Sequence, residues 1–243
     1  MSIIKKIGYL LRSTLTFWVS PYNIEHLHSV RLFEFHYIKK FMPAPPHRIL
    51  ELGAGTGWQS KLLSEFGYDV KSIDLPSSNY SKQRIWNVID YDGINIPFTK
   101  GSFDIVFSSN VLEHVLNLSS LQDEIFRILD DDGICIHVMP TSTWRLFTNI
   151  SHFIKFWNKA PIHGVHSDSL NSEYLFFSKK NWIKIFDETN FELLNVYNIP
   201  LFYTGTAVFS NRLSLNLRKI LSFFIGGSCN IYILKKRLKS CLN

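Results

Sequence analysis

The apolar positions of this chain change period several times, and each change marks an element. Residues 48–52, Arg-Ile-Leu-Glu-Leu, form a short, nearly continuous apolar run that stops at Gly53, Gly55 and Gly57. That is the pattern of a buried strand ending in a tight turn. Residues 59–66 then read as a helix, whose N-terminus aims unpaired backbone N–H groups at whatever sits over the turn. Further strands are read at residues 68–76, ending in Asp74, at 87–98, at 101–110 and at 134–139. Leu121, Ile125, Ile128 and Leu129 recur at helical spacing before the last of these, with Ser120 as the expected N-cap and Asp123 three residues on. Asp130-Asp131-Asp132-Gly133 reads as the turn between that helix and its strand. Strands alternating with helices predict an α/β fold with a largely parallel sheet.

The flanks read differently. Residues 1–45 read as mostly helical, with breaks at Pro21 and at Pro43-Ala44-Pro45-Pro46, and residues 34–41 as the helix leading into the first strand. Residues 1–18 carry Lys5 and Lys6 before a short apolar run, but Arg12 interrupts it and no small-residue cleavage site follows. An amphipathic helix is therefore expected there rather than a signal peptide. Trp144, Phe147, Ile150, Ile154 and Trp157 recur at near-helical spacing, and a polar loop follows at 160–169. Ser178 is the expected cap of a helix reaching about Thr189; residues 191–196 and 229–234 read as the last two strands, with an insertion between them. No run of about 18 apolar residues occurs, so no spanning helix is expected.

Composition narrows the picture. A chain of 243 residues, 46% hydrophobic and 15% aromatic, suffices for one globular domain with a full core. Its three cysteines have no C-x-x-C spacing and its histidines form no helical metal-binding pair, so a reducing compartment and no metal are expected. The net charge of +6 is uneven: Lys5, Lys6 and Arg12 precede the first acid, and Arg212, Arg218, Lys219, Lys235, Lys236, Arg237 and Lys239 follow the last one. Leu213, Leu217, Ile220, Leu221 and Phe224 sit at helical spacing beside these charges. Such a helix either packs on the core with a solvated basic face or lies on an anionic membrane. No base-reading motif or zinc knuckle supports nucleic-acid binding.

The glycine turn carries the chemistry. A dinucleotide fold prefers G-x-G-x-x-G; this chain has G-x-G-x-G, with Glu51 two positions before the first glycine. That form resembles the first motif of the class I S-adenosylmethionine-dependent methyltransferases. Asp74 at the second strand end, Asp92 followed by Pro97-Phe98 (with Asp90 as the fallback) and Val111-Leu112-Glu113-His114-Val115 are similar to later motifs of the same family. The last is typical of its quinone and small-molecule branch. The resemblance covers about residues 45–142.

The resemblance implies a Rossmann-like, doubly wound, seven-stranded and mostly parallel sheet whose antiparallel last strand lies at the edge. It implies one methyltransferase domain: a helical cap to residue 45, a cofactor-binding core over 46–142, and lid insertions, last strands and a basic C-terminus over 143–243. The implied cofactor is S-adenosyl-L-methionine. Glu51 orients the turn and meets the methionine amine, Gly53, Ala54, Gly55 and Gly57 pass the cofactor, and Asp74 with Leu75 holds the ribose. Asp92 with Gly93 reaches the adenine amine, and Asn110 lines the methionine end. The expected reaction is methyl transfer to a small-molecule or saccharide acceptor, most often at a hydroxyl, which needs a base. His163 and His166 in the lid loop and His114 after the fourth strand are the candidates, although each also suits a structural hydrogen bond.

Pro161-Ile162-His163-Gly164-Val165-His166 and Phe202-Tyr203-Thr204-Gly205 resemble methyltransferases associated with surface-polysaccharide biosynthesis. A lipid-linked sugar suits the basic, aromatic flanks, and a cytoplasmic enzyme with peripheral contact to an anionic membrane is expected. Two rival readings are a ribose methyltransferase acting on nucleic acid and a non-catalytic scaffold. Asn110-Val111-Leu112-Glu113 in place of Asn/Asp-Pro-Pro-aromatic opposes nucleic-acid amino methylation, and the intact Glu51, glycines, Asp74 and Asp92 oppose a scaffold.

Overall fold

The computed structural model describes residues 24–205 and 213–237. The expected amphipathic helix over 1–18, together with Arg212 and Lys239, lies outside the described residues. The chain opens with helix α1 (Ile24–Ile38), which starts earlier than expected and runs into a 3-10 turn at Lys39–Phe41. Strand β1 (Arg48–Leu52) leads through the glycine turn to α2 (Trp58–Glu65), β2 (Asp69–Asp74), a two-residue β3 (Ile89–Asp90) and β4 (Phe103–Ser109). A 3-10 turn at Leu112–His114 precedes α3 (Leu118–Ile128) and β5 (Leu129–Pro140). Helices α4 (Ser142–Phe156), α5 (Leu170–Phe176) and α6 (Lys179–Asp187), strand β6 (Phe191–Asn198), helix α7 (Leu215–Ile225) and strand β7 (Cys229–Lys236) complete the order.

The seven strands form one sheet in the order β3-β2-β1-β4-β5-β7-β6. β1 pairs parallel with β2 and β4, as β2 does with β3 and β4 with β5. β7 runs antiparallel to both β5 and β6. The antiparallel last strand was expected at the edge; it lies inside, and β6 forms the edge. Burial gives the reason: nearly every residue of β7 is buried, whereas β6 is largely exposed. A strand apolar on both faces belongs between neighbours.

Two apolar layers cover the sheet. Phe35 and Ile38 of α1 and Leu63 of α2 pack with Ile49, Ile105, Phe107 and Ile231 on one face. Leu121 and Ile125 of α3 and Trp182 and Phe186 of α6 pack with Leu50, Val106 and Leu234 on the other. Neighbouring residues such as Ile49 and Leu50 enter opposite layers, as period-two geometry requires.

Two local expectations are corrected. Asn117, not Ser120, caps α3: its side-chain oxygen accepts from the Ser120 amide at 3.1 Å. Residues 130–133 form no free turn. The pairing jumps from Phe103–Leu129 to Ile105–Ile134, so the acidic triplet bulges within β5. Lys236 pairs with Asp131 at 3.0 Å and Lys235 with Asp132 at 3.6 Å, which fixes the bulge and neutralises part of the basic C-terminus. Arg218 is fully buried and donates to the carbonyl oxygens of Phe202 and Leu213, so it leaves the expected basic face of α7. Among the described residues, no helix is long and apolar enough to cross a membrane.

Candidate functional site

The cleft opens at the carboxyl ends of β1, β2 and β4, where ligands bind in open parallel sheets. Its main hollow, of about 610 Å³, is lined by Gly53, Gly55, Asp74, Leu75, Tyr80, Tyr91, Asn110, His114 and His163 among others. That volume suits a nucleoside-sized ligand. Gly53, Gly55 and Gly57 all have positive φ. A Cβ at Gly53 would meet Val111 at 2.5 Å, and one at Gly57 would meet Trp86 at 2.5 Å. At these two positions only hydrogen fits, so the turn can lie flat against its neighbours.

Four amides of the turn itself are engaged within the protein. Gly53 and Ala54 donate to the Ile73 carbonyl at 2.9 and 3.1 Å, and Gly57 donates to Ala54 at 2.8 Å. Gly55 donates to the Asp74 carboxylate at 2.8 Å, and Leu75 donates to its other oxygen at 2.8 Å. The turn therefore offers close backbone approach rather than an anion nest, which matches a cofactor without phosphates. Asp74 is locked in orientation, and each oxygen keeps acceptor capacity toward the cleft. This geometry fits a ribose diol.

Asp92 is corrected. It is exposed, and its carboxylate accepts from the amides of Ile94 and Asn95 and from the Asn95 side chain at 2.7–2.8 Å. It closes an Asx turn on its own loop, and Gly93 serves that turn with φ 81°. Tyr91 lines the cleft instead.

Glu51 is buried beneath the turn and hydrogen-bonds the Ser60 hydroxyl, which in turn meets Ser72. It braces the start of α2 and lines no hollow, which departs from its expected contact with the methionine amine. Burial pushes its carboxyl up to about 7. Near pH 4 it is protonated in both folded and unfolded chains. Between about pH 4.5 and 7 the folded chain keeps a proton that the unfolded chain releases, so stability falls as pH rises. The fall reaches up to about 3 kcal/mol. Glu51→Gln removes this slope: the variant should match the parent near pH 4 and exceed it at pH 8 in urea unfolding. Parallel stability profiles for the two proteins would refute the assignment.

Three contributors were not among the candidate site residues: Arg31 and Tyr80 lie outside every motif, and Glu113 lies in the 111–115 motif with no role assigned to it. Arg31 of α1 lines every hollow of the cleft. It pairs with Glu34 at 2.7 Å, and Glu34 also accepts from the Tyr203 hydroxyl at 2.6 Å. The Asn110 amide oxygen, assigned toward Arg31, accepts from both guanidinium nitrogens at 2.6 and 2.8 Å. Asn110 has φ 55°, a left-handed conformation that Asn tolerates better than most residues and that clusters at functional sites. Tyr80 is the second contributor; its ring lies over Gly55.

Glu113 is the third. It is fully buried in the turn after β4, beside His114. His163 meets it from the lid loop: the His114 and His163 rings stand edge to face at 4.7 Å. Val165 donates to the Glu113 carbonyl at 3.1 Å. The His163 amide donates to Glu173, which forms a buried ion pair with Arg145 of α4. Burial holds the His114 imidazole below its ordinary value, opposed by the charge of Glu113. The structure thus brings His114 and His163 to the cleft. His166 does not join them; its ring stacks on Phe176 at 4.7 Å and lines no cleft hollow. His137 is a core residue bonded to Ser108 at 2.8 Å.

Residues 26–196 match a family described as "Methyltransferase domain". The chain is 31% identical over 113 residues to the malonyl-acyl-carrier-protein O-methyltransferase of Legionella pneumophila, covering 42% of this chain and 38% of that one. It is 27% identical over 100 residues to the ubiquinone biosynthesis O-methyltransferase of Psychrobacter arcticus, covering 37% and 39%. The chain therefore spans under half the length of these relatives. Among solved structures, an S-adenosylmethionine-dependent methyltransferase from Listeria monocytogenes superposes with a TM-score of 0.57 at 15% identity, covering 85% of this chain and 98% of that one. That likeness carries the fold.

Proposed function

The chain belongs to the methyltransferase-domain family; from that premise we propose that it uses S-adenosylmethionine to methylate a hydroxyl of a small-molecule or saccharide acceptor. The observation that carries this reading is the Asp74 carboxylate, fixed by two backbone amides at the mouth of an anion-poor glycine turn. When bound, the cofactor supplies an electrophilic methyl group; the protein supplies binding, orientation and electrostatics. Asp74 holds the ribose hydroxyls, Gly53 and Gly55 admit the sulfur-bearing chain, and Arg31 with Asn110 faces its amino-acid end.

A second hollow of about 270 Å³ continues past Asn110 between Trp144, Tyr203, His26 and His163. Flat aromatic walls with polar groups between them suit a ring-shaped, hydroxyl-bearing acceptor, because rings pack on aromatic faces while their hydroxyls need partners. Holding that acceptor in line with the methyl supplies much of the rate. The test is incubation with methyl-labelled S-adenosylmethionine and separate panels of phenols, free sugars and lipid-linked sugars. Base-stable label on one of these panels supports the reading. Label appearing only in added RNA would replace it with nucleic-acid methylation.

We also propose peripheral contact with an anionic membrane through α7, which leaves Leu217, Ile220, Phe223 and Phe224 exposed beside Lys219. With Arg218 buried, apolar insertion rather than charge is the main attraction. The double variant Phe223→Ser/Phe224→Ser should lose flotation with anionic liposomes while still binding S-adenosylhomocysteine. Equal flotation of variant and parent would remove the membrane from the account.

A further inference from the structure

We infer that Glu113, His114 and His163 form a binding site for a divalent transition-metal ion on the wall of the cleft. Neither carboxylate oxygen of Glu113 has a hydrogen-bond partner among the described residues, although the side chain is completely buried. An isolated buried carboxylate is costly and is normally paired or bound to a metal. Its nearest counterparts are His163 Nε2 at 3.8 Å and His114 Nε2 at 3.9 Å, both measured to Oε1. These distances are too long for hydrogen bonds.

They suit an ion between the groups. Zinc binds imidazole nitrogen and carboxylate oxygen at about 2.0–2.2 Å in a tetrahedral array, so two ligands of one ion stand about 3.4 Å apart. Both histidine–glutamate separations exceed that spacing by only about half an ångström. One potential ligand atom from each of the three residues lies within 4.8 Å of the others, so the set closes with side-chain shifts of up to about 1.4 Å. Two imidazoles and one carboxylate suit zinc or another first-row divalent ion better than magnesium or calcium.

The surroundings hold these ligands in place. A Cβ at Gly164 would meet the Glu113 carbonyl oxygen at 2.6 Å, so glycine there lets the lid loop lie on the Glu113 turn. The Val165 amide bonds that carbonyl, and Glu173 holds the His163 amide. The Trp144 ring meets the His163 ring edge to face at 4.8 Å. Three protein ligands leave a coordination position open, and His163 faces both hollows. An acceptor oxygen could take that position, a role that rests on the methyl-transfer reading. The ion site itself does not. Sequence spacing conceals it because the third ligand comes from the lid loop, which is why no metal was expected.

The test uses the full chain, stripped with a chelator and titrated with Co2+ by visible absorption and with Zn2+ by calorimetry. His163→Gln and Glu113→Gln are measured beside an exposed control, His36→Gln. One equivalent should bind at micromolar affinity or tighter, with a visible cobalt band, and both ligand variants should bind roughly 10- to 100-fold more weakly. The control should bind like the parent. His163→Gln changes a loop side chain and carries the test if Glu113→Gln does not fold. Absence of binding below millimolar, or equal binding by parent and His163→Gln, overturns the site. S-adenosylhomocysteine titration of the stripped protein separates the two claims: binding of it without binding of cobalt removes the metal and leaves the methyltransferase reading standing.

Discussion

Asp74→Ala should weaken S-adenosylmethionine binding at least about 100-fold in calorimetric titration, while Asp92→Ala changes it less than about threefold. A hydrogen bond to a charged group is worth about 1.5–3 kcal/mol, and the Asp74 carboxylate is placed to accept two from a ribose diol. Its two oxygens are already oriented by Gly55 and Leu75, so no ordering cost falls on binding. Alanine also releases the Gly55 amide and loosens the turn beneath the ligand. Asp92 directs its oxygens at Ile94 and Asn95 and away from the hollow. Equal losses in the two variants would mean that the adenine end reaches Asp92 after all.

Glu173→Ala should destabilise the protein by about 3–5 kcal/mol in urea unfolding. The change leaves Arg145 charged and almost fully buried without its carboxylate, the circumstance in which breaking a buried pair costs most. The Arg145 contact to the Pro161 carbonyl at 2.7 Å remains but carries no full charge. A double variant, Arg145→Met with Glu173→Leu, should recover most of the stability because no uncompensated ion remains. It should not recover the lid loop, since the His163 amide still lacks its partner. Faster amide exchange across 162–166 would report that. A loss below about 1 kcal/mol in the single variant would show that the pair is wetter than its burial indicates.

The glycine turn and the Asp74 carboxylate beside it were legible because backbone geometry dictates them. A turn that admits no Cβ at Gly53 or Gly57 must be glycine, and a strand end that orients a carboxylate beside it must place Asp74 where it stands. Local sequence writes such constraints directly. Asp92 is ambiguous because an Asx turn and an adenine contact ask for the same residue type at the same place, and one residue can serve both. Arg31 and Tyr80 were not legible, and Glu113 was legible only as part of the 111–115 motif: each acquires its role only when elements far apart in the chain meet. Arg31 matters through Glu34, Asn110 and Tyr203 together. The edge position of the antiparallel strand failed for a related reason. Short apolar runs such as 229–234 state that a strand is buried, not which strands flank it. The acidic triplet at 130–132 read as a turn because its lysine partners lie at the far end of the chain.

The most direct test of the account is a crystal structure of the full chain with S-adenosylhomocysteine. The account predicts the ribose hydroxyls on Asp74, the thioether against Gly53 and Gly55, and the amino-acid carboxylate beside Arg31 and Asn110. A nucleoside bound elsewhere, or turned so that its ribose misses Asp74, would contradict it.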